Sequence, residues 1–64
     1  MPKYQHNGWK IQTQMTSAGW HALMWAPGSS LCKSEVAEAT IDEGEQMCLA
    51  RAKNMIEGWE NGNA

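Results

Sequence analysis

The chain has 64 residues, 42% of them apolar by type, with four Trp, five Met, one Tyr, no Phe and a formal charge of −2. That length makes a single domain near the lower limit of independent folding, where a globule buries only about 60% of the surface its unfolded chain exposes. It argues against an enclosed substrate pocket, and no run approaches the roughly 18 apolar residues of a membrane span.

The charge is unevenly placed. Residues 1 to 34 carry Lys3, Lys10 and Lys33 with no acid, a sum of +3, whereas residues 35 to 64 carry all seven acids against Arg51 and Lys53, a sum of −5. An acidic C-terminal half disfavours a phosphate-binding surface and suits a basic groove. The start, MPKYQHNGW, has no apolar segment like that of a secretory leader, so a cytoplasmic location is expected. Cys32 and Cys48, sixteen positions apart, fall short of the dense pattern of stapled secreted domains, so reduced thiols are expected. The Trp rings are first read as core anchors, and with so light an apolar remainder, self-association or a protein partner is a plausible supplement to stability.

In chain order, the ends MPKYQHN and ENGNA read as frayed. WKIQTQM alternates, Trp9, Ile11, Thr13 and Met15 against Lys10, Gln12 and Gln14, which predicts a half-buried strand over 9–15. TSAG then supplies a turn into a second strand over 20–26, and PGSS a further turn. LCKSEVA reads as a third, less regular strand over 31–37, with Lys33 and Glu35 suited to an exposed edge. Thr40 followed by Glu43 is a capping-box pattern and places a helix start, giving a helix over 41–57. Ile41, Gly44, Cys48, Leu49, Ala52, Met55, Ile56 and Trp59 form one apolar stripe against a face of Asp42, Gln46, Lys53, Asn54 and Glu57. A competing parse starts the helix at Ser34. The favoured fold is α+β: a three-stranded antiparallel sheet with one C-terminal helix packed on one face, β-β-β-α.

GWHALMWAP puts bulky apolar groups on both sides of the second strand: Trp20, Ala22, Met24 and Ala26 on one, His21, Leu23 and Trp25 on the other. One helix covers one side only, and either could be the one it meets. The uncovered side is the main functional clue.

Chemistry-bearing residues are few. His6, His21, Cys32 and Cys48 have ligand types for a tetrahedral zinc site but lack its close paired spacing, so neither metal nor cofactor is expected. Cys32 with His21 has the types of a nucleophile and base, and Glu35, Glu38, Asp42, Glu43 and Glu45 could be read as a carboxylate cluster. A helix start wants acids anyway, no partner base is evident, and no enzyme activity is expected. Tyr4, Trp9, Trp20 and Trp25 could stack bases, but three lysines in that half are a weak complement, so direct nucleic-acid binding is not expected.

The layout YxxxGWKIQ, turn, GWHALMWAPG, extended stretch, TIDEGEQMCLARAKNMIEGW resembles short bacterial and phage-encoded β-β-β-α proteins, over about residues 4 to 59. It is also similar to the N-terminal half-fold of HicB-like antitoxins, and in size and charge to small anti-CRISPR proteins. The resemblance implies a small inhibitor or regulatory partner of another protein. The expectation is therefore a non-catalytic protein-binding module, dimeric or partner-bound. His21, Leu23 and Trp25 are its expected sheet-face contacts, and Asp42, Glu43, Gln46 and Glu57 a second, acidic helix surface that occupies a basic nucleic-acid groove of a host complex. The alternative is an antitoxin-like partner that neutralises a small toxin through the sheet face.

Overall fold

The computed structural model describes residues 3 to 62 and is α+β. Four strands, β1 (Tyr4–His6), β2 (Trp9–Thr16), β3 (Gly19–Trp25) and β4 (Ala37–Ala39), precede one helix, α1 (Gly44–Asn61). The strands lie in the order β1-β2-β3-β4, every neighbouring pair antiparallel.

The sheet therefore has four strands where three were expected. The additional one lies in the N-terminal stretch read as frayed. Asn7 (φ 52°) and Gly8 (φ 85°) make a two-residue turn between the paired His6 and Trp9, the left-handed geometry that Asn-Gly favours in a tight hairpin. β1 reaches only Trp9, Lys10 and Ile11 of β2 through its register, so residues 12 to 16 of β2 pair with β3 alone among the described residues.

The last strand also comes later than 31–37. Pro27 and Gly28 (φ 76°) close a turn in which the Ser29 amide donates to the Ala26 carbonyl at 3.0 Å. Beyond it, Cys32 forms a single bridge to Trp25, the Lys33 amide donates to the Met24 carbonyl at 2.8 Å, and regular pairing resumes only at Ala37. Leu31 is 78% exposed, so no burial pattern holds residues 31 to 36 in the sheet.

The helix begins three residues later than expected and ends four later. Both capping-box bonds form, Thr40 amide to Glu43 Oε1 at 2.9 Å and Glu43 amide to Thr40 Oγ1 at 3.1 Å. They close a separate turn over residues 41 to 43, and Gly44, at φ 85°, then redirects the chain into α1. Gly62 ends the helix, donating its amide to the Gly58 carbonyl. Ile41, expected on the buried stripe, consequently sits in that turn and is 55% exposed.

Cys48, Leu49, Ala52 and Ile56 of α1 bury against Trp9, Ile11, Ala22, Met24, Ala37 and Ala39. Alanines on β4 meeting Cys48 and Ala52 keep that contact thin, which lets a helix lie close to the sheet. Of the four Trp, Trp9 is buried and stacks on Trp59 at 5.4 Å between ring centroids, while Trp20 and Trp59 pack partly buried around the core. Among the described residues no helix is long and apolar enough to cross a membrane.

Candidate functional site

Strand alternation and register assign each side chain of the sheet to a face. Tyr4, His6, Trp9, Ile11, Thr13, Trp20, Ala22, Met24, Ala37 and Ala39 share the face under α1. The opposite face carries the cross-strand pairs Gln5–Lys10, Lys10–Trp25, Gln12–Leu23, Gln14–His21 and His21–Glu38. His21, Leu23 and Trp25 thus lie together on the side away from the helix, all half-buried. No helix or strand among the described residues packs over them. The bridge to Trp25 places exposed Cys32 at the end of this row.

Two polar features mark the open face. His21 Nε2 lies 3.6 Å from Glu38 Oε2. Gln12, opposite Leu23, donates from Nε2 to the Thr13 carbonyl, and its Oε1 is buried with no partner. An unsatisfied buried amide oxygen costs about 1 to 3 kcal/mol.

The helix-borne group is dispersed. Asp42 and Glu43 lie in the turn before α1, Gln46 and Glu57 on the helix, all exposed. Glu43 takes a bidentate bond from Arg51 (Nη1 to Oε1 2.8 Å, Nη2 to Oε2 2.6 Å) besides its Thr40 bonds. Glu57 Oε2 lies 2.9 Å from His6 Nε2. Glu45 accepts from Thr13 Oγ1 at 2.5 Å and Tyr4 Oη at 3.1 Å, and Glu60 accepts from Trp9 Nε1 and Asn7 Nδ2. Four helix-side acids are therefore tied to the fold itself, three of them to β1, β2 and the turn between them. Acids at 57 and 60 oppose the helix dipole, and these partners offset that penalty of roughly 0.3 to 1 kcal/mol each.

Sequence reasoning missed a second feature, a shallow cleft of about 340 Å³ at the β3–β4 end, lined by Ala18, Trp20, His21, Glu38, Ala39, Thr40, Glu43 and Arg51. Its signal is a spacing of eight, Glu43 to Arg51, longer than the helical pairs usually sought.

Hydrogen bonds from Arg51, then from the Thr40 amide, hold the Glu43 carboxyl at about 2, against an ordinary 4.5. The bond from Thr13 likewise lowers Glu45, and burial pushes the Cys48 thiol up, away from nucleophilic use. A folded-state value below the unfolded one contributes stability above pH 4.5 that is lost as pH falls toward 2. Melting temperature should therefore drop across that window. Glu43→Gln should melt lower at neutral pH and show a shallower drop, measured by circular dichroism at stepped pH; parallel profiles would contradict the pairing.

His21 approaches Glu38, and the Cys32 thiol donates to the Lys33 carbonyl at 3.3 Å, so the nucleophile–base pair considered from sequence is not assembled. Among the described residues no three His, Cys, Asp or Glu side chains gather where they could share a metal ion. Compared with protein families, curated proteins and solved structures, the chain matches none.

Proposed function

We propose that this protein is a non-catalytic protein-binding module that docks another protein on the open face of its sheet, with Trp25 and Leu23 at the centre and Lys10, Gln12, Gln14 and His21 around them. The observation that carries this reading is the one-sided architecture: the only helix among the described residues covers one face, and the other presents two large apolar side chains in a polar frame. Apolar centres with polar rims are the usual composition of interfaces, and Trp is over-represented among residues that dominate binding energy.

Of the two routes by which such a module inhibits its target, the sheet face has more support than obstruction of a basic groove by helix acids. Glu43 and Glu57 already have internal partners, which lowers what they offer a foreign cation. The favoured role is that of a regulatory or neutralising partner.

Sedimentation velocity across micromolar to millimolar concentration comes first, because a dimer dissociated by Leu23→Lys would mean that a second copy covers the face. With a monomer, the partner is recovered on immobilised protein and binding is repeated with purified components. Trp25→Ala should weaken that complex by about 2 kcal/mol or more, roughly thirtyfold, with thermal unfolding little changed. Undiminished binding by both variants would overturn the reading.

A further inference from the structure

The charges of the open face are placed in a way that bears on what covers it. Register sets three rows across that face: Gln5, Lys10 and Trp25, then Gln12 and Leu23, then Gln14, His21 and Glu38. Leu23 stands in the middle row on β3, between β2 and β4. Lys10 on β2 and Glu38 on β4 therefore occupy opposite corners about it. His21 aside, these are the two charged side chains that the strands place on this face. Both are available: the Glu38 side chain is 68% exposed and lies 3.6 Å from His21 Nε2, beyond hydrogen-bond distance, and exposed Lys10 takes part in none of the ion pairs among the described residues.

Opposite signs at opposite corners of an apolar centre make the face complementary to itself. A two-fold axis lying in the interface at Leu23 exchanges the corners, which sets Lys10 of each copy against Glu38 of the other and Leu23 against Leu23. With strands about 4.8 Å apart and a rise of about 3.3 Å per residue, the diagonal from Lys10 to Glu38 lies about 36° off the strands, so the strands of the two copies cross at about 70°. That crossing is close to the orthogonal class of sheet packing. A face of one sign would instead repel its own copy, and the acids at 43 and 57, which have internal partners, belong to the helix side, away from this contact.

Burial favours the same occupant. Four of the ten buried apolar residues are alanines, so the core is thin, and covering Leu23 and Trp25 adds the apolar burial that so short a chain lacks. Three strands by five residues measure roughly 14 by 16 Å, a footprint below that of a standard interface, which fits a reversible dimer rather than an obligate one.

We propose that in the free protein a second copy covers this face, as a two-fold, crossed-sheet dimer centred on Leu23 with Trp25 beside it and two reciprocal Lys10–Glu38 ion pairs. The assignment rests on reading the open face as a docking surface and names its occupant, which a foreign target has to displace.

The test is sedimentation velocity of the full chain, its Lys10→Glu and Glu38→Lys variants and the double exchange, across concentration and at two salt levels, with thermal melts confirming that each exposed substitution leaves the fold intact. The unaltered chain should dimerise with a dissociation constant of about 10 to 100 µM and dissociate more readily at high salt. Either single reversal sets like charges together twice and should weaken the dimer about fivefold to thirtyfold, and the double exchange should restore it to within about threefold. A monomer at millimolar concentration, a dimer that survives Leu23→Lys, or a double exchange no better than the single reversals would overturn the assignment. A monomer that still binds a purified target through Trp25 would sink the dimer and leave the docking reading standing, whereas target binding indifferent to Leu23→Lys and Trp25→Ala would sink the docking reading itself.

Discussion

Ile56→Ala should remove a large share of the protein's stability. Ile56 is fully buried at the centre of the helix–sheet core, together with Ile11, Met24 and Cys48. Truncating such a side chain costs about 2 to 5 kcal/mol, the lost transfer energy plus the cavity left behind. A chain of this size has only about 3 to 10 kcal/mol in total. Each kcal/mol moves the melting temperature of a domain this small by about 4 to 8 °C, so a fall of about 10 to 30 °C is expected in a thermal melt. Ile56→Val should cost about 0.5 to 1.5 kcal/mol, and Leu31→Ala, at an exposed position, less than about 0.5 kcal/mol. A fall of only a few degrees for Ile56→Ala would mean that the helix does not bury this face.

The second large effect is expected at Gly19. Its φ of +135° is a region that side-chain-bearing residues rarely adopt, and the added Cβ would meet a backbone oxygen. The strained dihedral alone costs about 1 to 3 kcal/mol, and displacement of β4 adds to it. Gly28→Ala separates the two contributions, since Gly28 also has a positive φ (76°) but nothing within 4 Å of a built Cβ. Gly19→Ala should therefore be clearly the less stable of the two in denaturant unfolding; equal losses would place β4 farther from β3 than described.

These positions also show what the amino-acid order made legible. The alternation in WKIQTQM located β2 and its faces to within a residue, because Trp9, Ile11 and Thr13 on one side are buried, although Met15 at the end of that row is 62% exposed. The stripe Cys48, Leu49, Ala52, Ile56 was legible for the same reason at helical period. The helix start was not, because Thr40 and Glu43 satisfy each other in an isolated turn that only the positive φ of Gly44 separates from α1. β1 was overlooked because three residues are too few to show a period, although Asn7-Gly8 carries the hairpin signal. The grouping of His21, Leu23 and Trp25 follows from alternation alone. That they lie away from the helix needed the packing, since β3 is apolar on both sides. The internal use of Glu43 and Glu57 depends on partners eight and fifty-one positions away, a separation no local pattern encodes.

The two margins of the sheet are treated differently, and this limits how copies could polymerise. On one margin Arg51 occupies the carbonyl of Glu38 in the three-residue β4, while on the other, among the described residues, β2 runs past the end of β1 over residues 12 to 16, with the Thr13 carbonyl taken by Gln12 Nε2. Strand-to-strand growth into a fibre requires a donor margin and an acceptor margin on every copy. A guanidinium on the Glu38 carbonyl removes one acceptor from the β4 margin, so strand addition there loses a rung of its ladder.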